Sequence, residues 1–230
     1  MGRPTRSLTL ATTVACLAAA ACGGARHHLG EYSFAERSLA LVVLGSPAPG
    51  LITGGYDLRS TDIVDVAMKA GSKAAKDIEA RRARARMDSA TSRMHLADSL
   101  ARRTLDRASR YLGVRPVTSS GSADFLLEVH MRNYGLDASG SGEASLYTNA
   151  EAVLLDRHTG REIWNVKVHG TDRLTPRIRG AGSVGGSIIA AGTLHAMTVE
   201  DFQLALDQLM SLSSNVVTDE LRSALRDVRR

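Results

Sequence analysis

Hydrophobic and polar positions along this chain change rhythm several times, and each rhythm predicts an element. SLALVVL at residues 38–44 is a continuous apolar run bounded by Gly45, Pro47 and Pro49, the pattern of a buried central strand. Residues 45–58 hold too many Gly and Pro residues for a regular element and read as a loop. From Ser60 the period lengthens to that of a helix. Ser60 or Thr61 is its cap, Asp62 and Asp65 lie in its first turn, and Ile63, Ala67, Ala70, Ala74 and Ile78 share one face. A second amphipathic stretch, with Leu96, Leu100, Leu105, Ala108 and Leu112 on its apolar side, stops at Gly113 as a C-cap. One unbroken helix over residues 60–112 would be about 80 Å long, nearly twice the roughly 43 Å width of a domain this size. The segment therefore either breaks into a hairpin, with residues 87–93 as the corner, or protrudes.

Beyond Gly113 the period falls to two. Residues 114–117 form a short strand, and residues 123–135 set Phe125, Leu127, Val129 and Met131 against Glu128, His130 and Arg132. Residues 144–156 and 161–171 predict a hairpin around Arg157-His158-Thr159-Gly160, with Gly160 at the position needing positive φ and Trp164, Val166 and Val168 inward. Residues 198–228 close the chain as an amphipathic helix. Thr198 caps it, Glu200 and Asp201 occupy its first turn, and Phe202, Leu206, Leu209, Val216, Leu221 and Leu225 point to the core. This order predicts an α+β fold: an antiparallel or mixed sheet of about four to five strands, covered by helices on one face. A single domain spans residues 35–230, with a helical insertion at residues 60–93 lying outside the sheet core.

The amino terminus has a different character. Arg3 and Arg6 precede a run of 14 apolar and small residues, Leu8 to Ala21. A membrane span needs about 20, so residues 1–21 read as a secretory signal. Its end, Leu17-Ala18-Ala19-Ala20-Ala21-Cys22, resembles the bacterial lipoprotein signal, departing from it at Ala19, where leucine is commoner. That resemblance implies acyl chains such as palmitate on Cys22, cleavage ahead of it, and a tether over residues 22–34. Gly23 stands where enteric lipoproteins kept at the inner membrane carry aspartate, so the implied location is the periplasmic face of the outer membrane. Both cysteines, Cys16 and Cys22, lie at or before the cleavage point. The mature body therefore has no disulfide, thiol nucleophile or cysteine metal site.

Composition narrows the chemistry further. The net charge of +5 includes two arginines of the signal, and only 4% of the 230 residues are aromatic, so nothing points to nucleic acid. Gly180-Ala181-Gly182-Ser183-Val184-Gly185 matches G-x-G-x-x-G, but Pro176 spoils the strand that a dinucleotide site needs just before it. Composition favours a mobile loop for residues 177–196. The alternative is a helix whose Gly182, Gly186 and Ala190 make a seam of small residues beside Ile188 and Ile189. In either form this segment is the expected interaction region, ordering against an envelope protein partner, a membrane or a second copy. Arg81, Arg82, Arg84 and Arg86, joined by Arg102, Arg103, Arg107 and Arg110, read as a solvated basic face; their functional reading is contact with lipid phosphates or an acidic partner.

His27 and His28 read as a solvated tail, and His95, His130, His158, His169 and His195 stand singly, so no metal site or cofactor is expected. No nucleophile elbow or motif-placed carboxylate pair occurs, and the chain reads as non-enzymatic. The competing class is a periplasmic small-ligand or metal binder, or an envelope hydrolase.

The segments ADFLLEVHMRNYG (residues 123–135) and AVLLDRHTGREIW (residues 152–164), together with Cys22 and the SLALVVL strand, resemble envelope lipoproteins with a domain similar to the TolB amino-terminal domain and to the periplasmic part of CsgG. The resemblance implies an interaction, assembly or transport-accessory module and no catalysis. These are packing and turn signals, and none is a chemical motif.

Overall fold

The structure, a computed structural model, describes residues 27–45, 47–53, 63–139, 143–175 and 183–228. Its frame is an open, mixed sheet of six strands: β1 (Ser38–Leu44), β2 (Ala48–Thr53), β3 (Arg115–Val117), β4 (Phe125–Ala138), β5 (Ser145–Asp156) and β6 (Glu162–Arg173). The order is β3-β1-β4-β5-β6, with β2 also pairing β4. β1 lies parallel to β3 and β4, while β4, β5 and β6 form an antiparallel meander. The hairpin turns where the sequence predicts, with Gly160 at φ 68.

The strand that the sequence does not predict is β2, inside the stretch read as a loop. Gly45, at φ 77, turns the chain so that β2 continues along the edge of β4 where β1 stops, Ala48 opposite Asn133 and Thr53 opposite Ala138. Pro49 is tolerated because β2 is an edge strand, where a missing N–H leaves no ladder partner bare.

Four helices accompany the sheet, α1 (Ile63–Thr91), α2 (Leu96–Leu112), α3 (Ser183–Ala196) and α4 (Val199–Val228); α1, α2 and α4 lie against it, and α3 packs on α1. The first two form the hairpin, but its corner falls at residues 92–95, later than predicted. Residues 88–91 extend α1 instead of capping a new helix. Asp88 receives Arg84 at 2.8 Å, and the Ser89 and Thr91 hydroxyls donate back to the carbonyls of Ala85 and Asp88. α2 ends on Gly113 at φ 71, and Leu96, Leu100, Ala108 and Leu112 are buried as predicted.

α1 does not lie outside the core. Ala80, Ala83, Met87 and Ala90 are fully buried members of it, whereas Ile78, predicted inward, is 50% exposed. Lys76 is buried too, and with these four it recurs at spacings of four and three, the seam along which helices approach closely. The partner is α3.

α3 is a helix where composition favoured a loop. Gly186, Ser187, Ala190 and Leu194 are buried. Glycine costs roughly 1 kcal/mol in a helix interior, and close packing against α1 offsets that cost, because tertiary contact and not propensity supplies most helical stability. α4 follows the prediction, with a reciprocal cap: the Asp201 N–H donates to Thr198 Oγ1 at 3.1 Å and the Thr198 N–H to Asp201 Oδ2 at 2.9 Å. Val217 points inward in place of the exposed Val216. The core joins Leu127, Val129, Met131, Leu146 and Leu154 of the sheet to Leu100, Phe202, Leu206 and Leu209 of the helices. The other sheet face is polar, carrying Glu128, His130, Arg132, Asn149, Glu151, Lys167 and His169.

Candidate functional site

Of the candidate site residues named from the sequence, Cys22 and Gly182 lie outside the described residues, as do the cap candidates Ser60 and Thr61 and the motif residues Gly180 and Ala181. The arginine run on α1 is largely spent inside the fold. Arg84 donates to Asp88 and to the Pro49 carbonyl at 2.9 Å, tying α1 to β2. Arg86 donates to the carbonyls of Leu194 at 2.7 Å and His195 at 3.0 Å, capping the last turn of α3. Arg82 pairs with Glu79 at 2.6 Å, and His195 Nδ1 lies 3.2 Å from the same carboxylate. Burial favours a higher Glu79 pKa, but hydrogen bonds from His195 and Arg82 outweigh it and hold the carboxyl below its usual range. Arg81 and Arg82 face solvent. On α1 the solvated basic face therefore shrinks to those two, because arginine reaches carbonyls of neighbouring elements that sequence spacing cannot reveal; on α2, Arg102 and Arg110 are exposed.

The small-residue seam is likewise occupied by the chain itself. Gly186 and Ala190 are buried on the α1 side of α3. What α3 leaves outside is Ile188, 59% exposed, with Ile189 half-buried beside it.

Two acids of the resembling motifs have structural work. Asp124, from ADFLL, accepts the Ser38 N–H at 2.8 Å, the Ser38 hydroxyl at 2.7 Å and Arg37 at 3.1 Å, pinning the start of β1. The Ser38 hydrogen bonds, with Arg37 adding to them, hold its pKa at about 2. Asp156 accepts the N–H groups of His158 and Thr159, which shapes the hairpin turn. Sequence reasoning missed Lys76. Burial lowers its pKa, and the nearby Asp77 and Asp137 oppose that. Its place in the four-three pattern of α1 was the available signal.

The amino-terminal arm is packed sooner than a tether over residues 22–34 requires. The His28 N–H donates to the Ile163 carbonyl at 2.7 Å, and Arg161 reaches Glu31 at 2.7 Å and His28 Nδ1 at 2.8 Å. Leu29 and Phe34 are buried, and Tyr32 and Phe34 pack on Phe125 with ring centroids 6.0 and 5.0 Å away.

Two recesses stand out among the described residues. An open cleft of about 330 Å³ sits at the α1–α2 corner, with Val43, Met94, Leu96 and Tyr134 as apolar lining and His95 and Asp98 as polar groups. Its size suits a small molecule. A second groove of about 210 Å³ is lined by Arg107, Arg110 and Tyr111. Among the described residues, no three His, Asp or Glu side chains converge as metal ligands would.

No family model matches this chain, and no curated protein matches it. Solved structures with some likeness include a Xanthomonas campestris protein, 14% identical, covering 85% of this chain and 89% of its own with a TM-score of 0.38. The PelC dodecamer of Paraburkholderia phytofirmans is 11% identical over 71% of this chain and 89% of its own, TM-score 0.28. Lipoprotein GNA1162 of Neisseria meningitidis is 12% identical over 63% and 88%, TM-score 0.27. At such distances they lend this chain neither a family nor an activity.

Proposed function

We propose that the chain is a lipid-anchored protein of the bacterial envelope, held by Cys22 at the periplasmic face of the outer membrane, and that it serves as a non-enzymatic interaction or assembly component. The observation that carries this reading is the segment Leu17-Ala18-Ala19-Ala20-Ala21-Cys22 at the end of a basic and apolar leader. The resemblance to TolB-like and CsgG-like envelope domains supports it. So does the use of the motif acids Asp124 and Asp156 in pinning a strand and a turn. Ile188, projecting from a helix whose inner side is filled, is the residue proposed to meet a protein partner or a second copy.

The test is Cys22→Ala expressed in cells. The unaltered protein should carry labelled fatty acid and sediment with membranes, and the variant should lose the label and move to the soluble periplasmic fraction. Retention of both properties by Cys22→Ala would refute the anchor. A periplasmic small-ligand binder is the second reading, favoured by the cleft beside His95 and Asp98. Saturable binding of a small molecule that Asp98→Ala weakens would support it over the first.

A further inference from the structure

We propose that the groove between the carboxyl-terminal ends of α2 and α4 docks onto anionic lipid headgroups of the membrane in which Cys22 is anchored. This rests on the anchoring proposed above and adds to it an orientation and a lipid-recognising surface.

The argument begins with where the chain enters the fold. Cys22 and His28 are six peptide steps apart, so the acylated residue stays within about 20 Å of His28. His28 is held to Ile163 at the start of β6, and a Cβ on Gly30 would lie 2.9 Å from Val228 in the last turn of α4. The root of the anchor therefore sits at the carboxyl-terminal end of α4. The opposite end of the molecule, where the 330 Å³ cleft opens beside the first turn of α2, is farther off by the length of that helix, about 25 Å.

That same end carries the groove. Arg103 pairs with Asp207 at 2.6 Å, and the Arg222 guanidinium lies 5.7 Å from the Tyr111 ring centroid. The two contacts show α2 and α4 running side by side in the same direction, with the last turn of α2 beside Arg222 of α4. Arg222 precedes Val228 by six residues, about 9 Å along the helix axis, so the groove is within reach of the membrane that the tether approaches. Arg107, Arg110 and Tyr111 line it, and Arg222 stands over Tyr111. Arg110 is matched by Asp106 at 2.5 Å. Among the described residues Arg107 and Arg222 make no ion pair, so two of the three guanidinium groups are not matched by a carboxylate in contact. Forked guanidinium donors beside an aromatic ring suit phosphate oxygens, and a basic group near an anionic bilayer contributes about a factor of five in binding.

The experiment uses the full acylated chain reconstituted into vesicles. Acylation blocks Cys22, so a fluorophore can be placed on Asp227→Cys, at the groove end, or on Asp98→Cys, at the far end. Vesicles contain phosphatidylcholine alone or with phosphatidylglycerol, plus a headgroup quencher. Quenching should be strong at residue 227 on anionic vesicles and weak at residue 98. Arg107→Ala with Arg222→Ala should shift the docked-to-undocked ratio about 25-fold toward undocked. The single variant Arg107→Ala, checked for an unchanged melting temperature, guards against misfolding and should shift the ratio about fivefold. Equal quenching at both ends, no dependence on phosphatidylglycerol, or no response to the arginine variants would overturn the proposal while leaving the anchor standing. A chain whose intact mass lacks acyl groups would overturn both.

Discussion

The packing of α3 separates a docked helix from a mobile interaction loop, and two substitutions on opposite sides of it decide between them. Ala190 is fully buried toward α1, and Ile188, two residues earlier, is 59% exposed. Ala190→Leu adds three carbons where nothing has room, and leucine matches alanine closely in helix propensity, so the effect reads packing alone. Overfilling a packed site costs about 1–3 kcal/mol. For a domain of this size each kcal/mol moves the melting temperature by about 2–4 °C, so the expected fall is about 2–12 °C. Ile188→Asp removes only partly buried surface and should change stability by about 0.5 kcal/mol, within roughly 2 °C by the same conversion. Thermal unfolding followed by circular dichroism supplies the first readout. Co-purification of an envelope partner, or self-association by sedimentation, supplies the second. Ala190→Leu should melt early, and Ile188→Asp should melt normally but lose its partner. If Ala190→Leu melts as the unaltered protein does, the α1–α3 seam is open in solution and this packing is wrong. Gly186→Leu also overfills a buried position of the same helix, but it regains about 1 kcal/mol of helix propensity, so its melting temperature should fall less than that of Ala190→Leu.

Met87→Ala in α1 should destabilise by about 2–5 kcal/mol, because Met87 is fully buried, whereas Ile78→Ala should cost far less; equal urea midpoints for the two would return α1 to the periphery. Acid should loosen the start of β1. Asp124 has its folded pKa lowered to about 2 from 3.8, so its contribution is complete above the unfolded value and is lost as pH falls from about 4 toward 2. The protection of the Ser38 amide, its exchange measured against the unfolded-chain rate at the same pH, should fall over that window, and Asp124→Asn should flatten the response. Thr198→Ala removes one side of the α4 cap and should cost about 1 kcal/mol in chemical denaturation. Arg86→Ala should raise exchange at the end of α3 without altering the sheet amides, since its two carbonyl partners belong to Leu194 and His195.

Most elements could be read from local pattern because their causes are local. The strand at residues 38–44, the Gly113 stop, the Gly160 turn and the Thr198 cap each follow from side-chain period or backbone freedom within a few residues. The leader and Cys22 are equally local, a basic and apolar run ending in small residues and a cysteine. Tertiary structure alone decided the rest. β2 forms because β4 outlasts β1 and offers an unpaired edge, which no local signal in APGLIT announces. α1 turns its alanines and Met87 inward, and leaves Ile78 out, because small residues let α3 approach closely. Period alone did not choose between those faces. α3 is a helix because contact with α1 outweighs the cost of its glycines. The roles of the arginines were least legible, since a guanidinium can reach a carbonyl more than 100 residues away, as Arg86 does, or stand over a ring on a neighbouring helix, as Arg222 does. Charge sits in the sequence, but its partner is a property of the fold.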